Sequence, residues 1–354
     1  MKTDFNHIQT VTKLITSLIV VLLLLVLVVG SVVGILYVNP TLFYTLKQPL
    51  DQTIKTNQKE KAVSFWQAPD VNSIEANESG DEIRYGRELI VNTSTYLGPQ
   101  GKVLHMSNGM NCQNCHLDAG TKIFGNNYSA VASTYPKFRA RSGTQESIEK
   151  RVNDCFERSL NGSALPEDGK EMKAIVAYIK WLGKEVPKGE IPAGAGLTEL
   201  PYLDRAADPV IGKILYEQKC SVCHGATGQG IMNLQGNAFT YPPLWGKQSY
   251  NNGAGLYRLS RFAGYIKTNM PLGATHNNPL LSDEEAWDIA AYVNTMDRPD
   301  KDISKDWPEI AKKPIDHPFG PFADDFSEQQ HKFGPYKAIE ERRKVLAAID
   351  KIKK

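Results

Sequence analysis

The chain has 354 residues, enough for two domains and some remainder. Lys plus Arg number 41 against 39 Asp plus Glu, a formal net charge of +2 at pH 7. That balance leaves no electrostatic footprint for nucleic acid, so nucleic-acid binding is not supported and any basic site must be local.

Between Lys13 and Lys47 there is no charged residue, and Ile15 to Val38 is almost wholly Leu, Val and Ile. A helix over 15–38 is about 36 Å long at about 1.5 Å per residue, enough for a bilayer core of about 30 Å. A secretory signal peptide cut before Ser31 is the competing reading, but the apolar run outlasts a usual signal core. Lys2 and Lys13 precede the run and favour a cytoplasmic N-terminus over 1–14, which puts everything after the anchor outside the cytoplasm. Residues 39–80 mix polar types with little apolar period and read as a tether and lead-in.

A helix is expected from about Asp81, carrying Ile83, Tyr85, Leu89 and Ile90, within a first domain spanning 81–190. Cys112-Gln113-Asn114-Cys115-His116 follows, and Cys220-Ser221-Val222-Cys223-His224 repeats the pattern in a second domain spanning 206–300. Both are C-x-x-C-H, in which two thiols add to the vinyl groups of a haem and the adjoining imidazole becomes an axial ligand of the iron. Paired C-x-x-C also suits a four-cysteine zinc site, but here each pair carries its own histidine in a helical context. The chain therefore reads as all-α, two small c-type cytochrome domains in tandem behind one transmembrane helix, carrying two covalently bound haems c. Thr144 and Ser147 are capping candidates for a helix running to about Leu160. Glu171 to Leu182 places Met172, Ile175, Val176, Ile179 and Leu182 on one stripe. Pro187, Pro192, Gly194 and Gly196 lead into a linker over 191–205, and Ile211 to Gln218 forms a helix running into Cys220. Ser282-Asp283-Glu284-Glu285 opens the helix that closes the second domain. Tyr178 and Tyr292 sit in the same Ala-Tyr-(Ile/Val) context of the two closing helices, a weak internal repeat. Residues 301–354 hold a Pro-rich wrap to Pro335 and a closing helix from about Lys337 to Ile352.

The second axial position of each iron decides between electron transfer and chemistry. Met270 precedes Pro271 in a Gly/Pro-rich loop 22 residues before Tyr292 (292 − 270) and is the expected sixth ligand of the second haem. In the first domain the corresponding position, 23 residues before Tyr178 (178 − 155), is Cys155, the one cysteine left over from the two motifs. Met106, Met110 and Met172 are rivals, and a buried inert thiol is the alternative for Cys155. The sharper reading is a thiolate bound to iron. Lys137, Arg139, Arg141, Lys150, Arg151 and Arg158 cluster around it in sequence. A solvated face accounts for Lys150, whereas arginines flanking a haem-ligating sulfur suit a small sulfur oxyanion.

Here the chain resembles the dihaem thiosulfate dehydrogenases, which also act as tetrathionate reductases. The resemblance runs through Tyr85-Gly86-Arg87, the first haem motif, Arg151 to Gly162, Asn269-Met270-Pro271-Leu272-Gly273, Arg298-Pro299 and the tail around Gln330-His331 and Gly334-Pro335. The run Cys155-Phe156-Glu157-Arg158-Ser159-Leu160-Asn161-Gly162 is its most specific part. The resemblance implies that the first haem, ligated by His116 and Cys155, is the active site, that Arg141, Arg151 and Ser159 line it, and that the second haem, ligated by His224 and Met270, passes electrons on. Some relatives carry a lysine directly before the second-haem methionine; here it is Asn269, with Lys267 nearest, which puts ligand exchange in doubt. The anchor is likewise not general in the family.

The reaction implied joins two thiosulfates into tetrathionate with release of two electrons, or runs in reverse, with a cytochrome c, quinol-linked complex or terminal oxidase as redox partner. Two dianions about 4 Å apart repel by roughly 4 kcal/mol even in water, four times the unit-charge value. Arg141 and Arg151 are candidates to offset this, Cys155 for a transient sulfur linkage and Ser159 for a hydrogen bond to an oxyanion oxygen. The runner-up is a membrane-tethered dihaem electron carrier with no substrate, and a third reading is a dihaem peroxidase. Gly225-Ala226-Thr227-Gly228-Gln229-Gly230 lacks the lysine of a phosphate loop and is discounted.

Overall fold

The computed structural model describes residues 18–31 and 64–352. Two units are distinguished, Met1–Ala62 and Val63–Lys354. Of the first unit, residues 18–31 are described and form a helix whose side chains are all exposed. No helix among the described residues is long and apolar enough to cross a membrane. The remainder of the expected 15–38 span, and residues 39–63 of the expected tether, lie outside the described residues.

The larger unit is mostly helical, and each haem motif lies between two helices that cross. In the first domain α1 (Glu78–Val91) packs on α3 (Lys170–Leu182). In the second, α4 (Pro209–Lys219) packs on α6 (Asp283–Thr295). Both crossings depend on a glycine. A Cβ on Gly86 would stand 1.8 Å from Ala174 O and 2.9 Å from Tyr178 Cβ; on Gly212 it would stand 1.9 Å from Asp288 O and 2.9 Å from Tyr292 Cβ. The repeat seen in Tyr178 and Tyr292 thus reflects a shared contact, a glycine of the opening helix seated against the turn before the tyrosine of the closing helix.

Local signals set the helix ends. Asn77 accepts from Gly80 N, so α1 begins at Glu78, three residues before the expected start. Ser147 caps α2 (Ile148–Arg158) by accepting from Lys150 N, and Ser282 and Glu285 form a reciprocal capping box on α6. Thr144, the other capping candidate, lies in a strand instead. It is paired in a hairpin of β1 (Lys137–Arg139) with β2 (Thr144–Glu146), and β3 (Ile231–Met232) with β4 (Phe239–Tyr241) makes a second. These two antiparallel pairs, absent from the all-α expectation, are too short to carry a period-two pattern. α5 (Leu259–Asn269), also unforeseen, leads directly into Met270. Residues 64–77, expected as lead-in, are folded in: Trp66 N donates to Ala193 O at 3.0 Å and Phe65 packs edge-on against Phe124 and His276.

Each domain has its own apolar core, around Leu89, Phe156, Ile175 and Tyr178 in one and Tyr216, Leu259, Trp287 and Ala290 in the other. The polar segment after Arg298 is fastened to both domains by ion pairs. Arg158 of the first domain grips Asp306 at 2.8 Å and Arg258 of the second pairs with Asp316, while within the segment itself Arg343 and His331 both reach Asp324, at 2.6 and 2.9 Å. The chain closes with α7 (Tyr336–Ile352).

Candidate functional site

Cys112–Asn114 forms a single 3-10 turn that brings the first motif to a cavity. Cys112, Cys115 and His116 line it together with Arg151, Cys155 and Ser159. The last three are spaced by four residues, so α2 presents them from one face. Arg151 Nη1 donates to Cys155 Sγ at 3.3 Å. The charge of that sulfur is the main cause that raises Arg151 above its ordinary range, burial opposing it. His116 Nδ1 lies 2.5 Å from Asn126 O and its ring stacks on Tyr128, 4.5 Å between centroids. A carbonyl can only accept, so Nδ1 carries the proton and Nε2 keeps the lone pair an iron needs. Burial lowers His116 to about 4, so it stays neutral at physiological pH.

Of the arginines expected here, Arg151 reaches the cavity wall and Arg141 does not. The Arg141 guanidinium sits 5.8 Å from the Trp307 ring centre, while Arg139, two residues earlier on β1, lines the cavity. The hairpin turn between β1 and β2 breaks the alternation that would have shown this in sequence. Burial, with Arg158 and Arg151 close by, brings Arg141 down to about 10, which leaves it cationic at neutral pH. Arg158 is spent on Asp306, and Lys150 pairs with Asp154 of its own helix. Met172 is fully buried in the core and Met106 packs at the edge of it.

The second motif meets a cavity lined by Cys220, Cys223, His224 and Met270. His224 Nδ1 donates to Pro242 O at 2.8 Å, again leaving Nε2 free, and burial lowers its pKa. Met110 also lines this cavity rather than the first. Asn269 is buried; its Nδ2 donates to Phe124 O of the first domain at 3.0 Å and to Tyr265 O at 2.9 Å. Lys267 is held by Leu281 O and Asp283, each at 2.7 Å. Asn111 and Cys115 line both cavities, and Tyr265 Oη donates to Asn114 O at 2.9 Å, so the first haem motif forms part of the second cavity's wall.

These residues fit c-type haem. The five cysteines form no disulfide, and each motif places two thiols and one correctly protonated imidazole on a single cavity. Burial pushes the Cys112 and Cys115 thiols up to about 12, an environment suited to neutral thioethers. Among the described residues no group of three or more His, Cys, Asp or Glu gathers to hold a bare metal ion, so the four-cysteine zinc alternative has no geometry behind it.

Comparison with known proteins agrees with this layout. Residues 103–187 match the family described as SoxA/TsdA, cytochrome c domain, and residues 210–297 match cytochrome c. A thiosulfate dehydrogenase of Stutzerimonas stutzeri is 36% identical over 251 residues, covering 70% of this chain and 78% of that protein. One from Allochromatium vinosum is 41% identical over 224 residues, covering 62% and 79%. A solved structure, the thiosulfate dehydrogenase (TsdBA) from Marichromatium purpuratum in its as-isolated form, superposes with a TM-score of 0.62 at 32% identity. That match covers 67% of this chain and 50% of the other, so this chain spans about half the length of that one. With two haem motifs, two cytochrome c domains and these relatives, the chain belongs to the thiosulfate dehydrogenase family and carries two covalently bound c-type haems.

Proposed function

We propose that this chain interconverts thiosulfate and tetrathionate in the first cavity and passes electrons through the second haem to a redox partner. The observation that carries this reading is the 3.3 Å contact from Arg151 Nη1 to Cys155 Sγ, in a cavity that also holds Cys112, Cys115 and His116. A domain that only carries electrons has no use for a sulfur nucleophile held by a guanidinium. The relatives named thiosulfate dehydrogenase supply the substrate class.

Cys112, Cys115 and His116 would hold the first haem, and Cys220, Cys223 and His224 the second. Cys155 in the first cavity and Met270 in the second would offer a sulfur ligand to the bound group. Bound there, the haems supply one-electron redox chemistry, and together they match a two-electron reaction. Two thiosulfates with a total charge of −4 become one tetrathionate of −2 and two electrons, and no proton is taken up or released.

Cys155 divides the reaction into two steps. Its thiolate forms a sulfur–sulfur bond to the outer sulfur of one thiosulfate as two electrons leave. A second thiosulfate then attacks that outer sulfur, and tetrathionate departs as the Cys155 thiolate is restored. Arg151 offsets the gathering negative charge on the cavity wall, Arg139 beside it and Arg141 from behind add to the positive field, and Ser159 offers a hydroxyl to a sulfonate oxygen. Residues 15–38 tether the protein to the cytoplasmic membrane in a single pass, with the haem domains on the periplasmic side. Support for the tether comes from the uncharged interval between Lys13 and Lys47 and from the exposed Leu and Val side chains of the 18–31 helix. The redox partner is a cytochrome c, a quinol-linked complex or a terminal oxidase.

The test is an anaerobic assay of the purified protein in both directions, with artificial donor and acceptor dyes, for the wild type and Cys155→Met. Loss of both activities with both haems retained supports the reading. Wild-type turnover in the variant would remove Cys155 from the chemistry, and a wild type inactive in both directions would favour the electron-carrier alternative.

A further inference from the structure

A cation that none of these roles uses stands behind the second cavity. Arg298, just after α6, donates from Nη1 to Leu244 O at 3.4 Å and from Nη2 to Val293 O at 2.9 Å. Both of those residues line the second cavity. The guanidinium also lies 4.4 Å from the ring centre of Tyr250 and 4.6 Å from that of Tyr257. Tyr250 is 5% exposed and lines the same cavity. Two buried donors remain without partners here, Arg298 Nε and Tyr250 Oη.

Away from the first cavity, three other partly buried arginines offer a comparison. Arg158, Arg258 and Arg343 pair with Asp306, Asp316 and Asp324. Among the described residues no carboxylate pairs with Arg298, whose bonds go to two backbone carbonyls. Burying a guanidinium with no counter-charge is unfavourable, and so is burying a tyrosine hydroxyl with no acceptor. A single anion beside both would relieve both. The anionic groups of haem c are its two propionates, and the cavity next to these donors is the one that takes the second haem.

We propose that Tyr250 and Arg298 hold a propionate of the second haem, Tyr250 Oη by donating a hydrogen bond and Arg298 as counter-charge. The proposal rests on the reading that Cys220, Cys223 and His224 hold that haem. Both groups are positioning residues for the electron-transfer centre. A propionate charge stabilises ferric iron, so compensating it raises the reduction potential, and removing the compensation lowers it.

The experiment is a spectroelectrochemical titration of the intact protein and of Arg298→Gln, Arg298→Lys and Tyr250→Phe. Resonance Raman spectra of the propionate bending modes are recorded at poises that separate the two haems. Arg298→Gln should lower the reduced-to-oxidised ratio of the second haem about tenfold at fixed poise, or about 59 mV for a one-electron couple, and Arg298→Lys should keep most of that ratio. Tyr250→Phe, which removes one oxygen and keeps the ring, should give a smaller fall and move a propionate mode of the second haem. A second haem with unchanged potential and unchanged propionate modes in both Arg298→Gln and Tyr250→Phe overturns the proposal, as does a shift confined to the first haem. Should Arg298→Gln fail to fold, Tyr250→Phe decides alone. A wild type with one haem per chain by pyridine haemochrome assay would overturn the underlying reading as well, whereas unchanged potentials with two haems overturn the propionate site only.

Discussion

In the proposed reaction Cys155 is the nucleophile of the first cavity and Arg151 the charge that steadies it. Because the guanidinium touches the sulfur directly, its removal should affect both catalysis and the ligand. Arg151→Gln is expected to lower turnover in both directions by about 10²-fold, the usual cost of one preorganised donor, and to perturb the first haem's optical spectrum. Arg141 lies off the cavity wall against Trp307, so Arg141→Gln should lose less than about tenfold and leave that spectrum unchanged. Steady-state kinetics with spectra of the same samples check both, and equal losses from the two variants would contradict this division. Cys155→Met should also raise the first haem's potential, since thiolate donation to the iron is gone.

Among the helices, the glycine crossings and the loop after α5 lend themselves to test. A valine at Gly86 or Gly212 would force α1 from α3, or α4 from α6, because even a Cβ would meet backbone oxygen at under 2 Å. Each substitution should cost about 3 kcal/mol, at the upper end of overpacking penalties, read as an earlier loss of the Soret signal on heating. The Met270 loop is clasped from the first domain by the Asn269 to Phe124 hydrogen bond and by His276 stacked 4.2 Å from Phe124. Lys267 is engaged by Leu281 and Asp283, and Lys219 of the cavity wall by Glu285, so neither is free to displace the methionine. The near-infrared band of His/Met ligation should therefore return unchanged after a cycle of reduction and reoxidation, and Met270→Gly should abolish it. A second band set after reduction, or hysteresis in the potentiometric titration, would show that a ligand does exchange.

In the molecule as a whole, the C-terminal segment ties the two haem domains together through buried ion pairs. Asp316 is 1% exposed; burial pushes its carboxyl up, but Arg258 and Ser260 more than offset this and hold it below the usual carboxylate range. A carboxylate whose folded pKa is depressed contributes stability that is present above its unfolded pKa and lost as pH falls through its folded pKa. Asp316→Asn should thus destabilise the protein by about 3 kcal/mol at pH 7, the cost of breaking a buried pair, and the gap from wild type should close as the pH drops below about 4. Thermal melts of both proteins across that range measure it, and a gap independent of pH would mean the aspartate acts through shape alone. The proposed tether predicts that protease added to intact spheroplasts digests the haem-bearing part, while before digestion the protein sediments with membranes. A mature soluble chain starting near Ser31 would show cleavage instead.

Both haem motifs were legible in sequence because their chemistry is local: two thiols and an imidazole must lie within five residues to meet one porphyrin. The same holds for Ser147 and Ser282, whose caps reach only to the third residue of their own helices; Cys155, which lines the first cavity from a distant segment, was singled out instead by cysteine arithmetic and the internal repeat. The placement of Arg139 rather than Arg141 on the cavity wall was not legible, because a hairpin of three-residue strands turns the chain there without a period to announce it. Nor could the sequence distribute the arginines, since Arg158 meets Asp306 across 148 positions and becomes a strut. The wall that Asn111 and Cys115 give to both cavities, and the donors Tyr250 and Arg298 behind the second, likewise come from contacts between distant segments. Covalent and capping chemistry is written in neighbouring residues, whereas the partner of a buried charge depends on which surfaces the packed helices bring together.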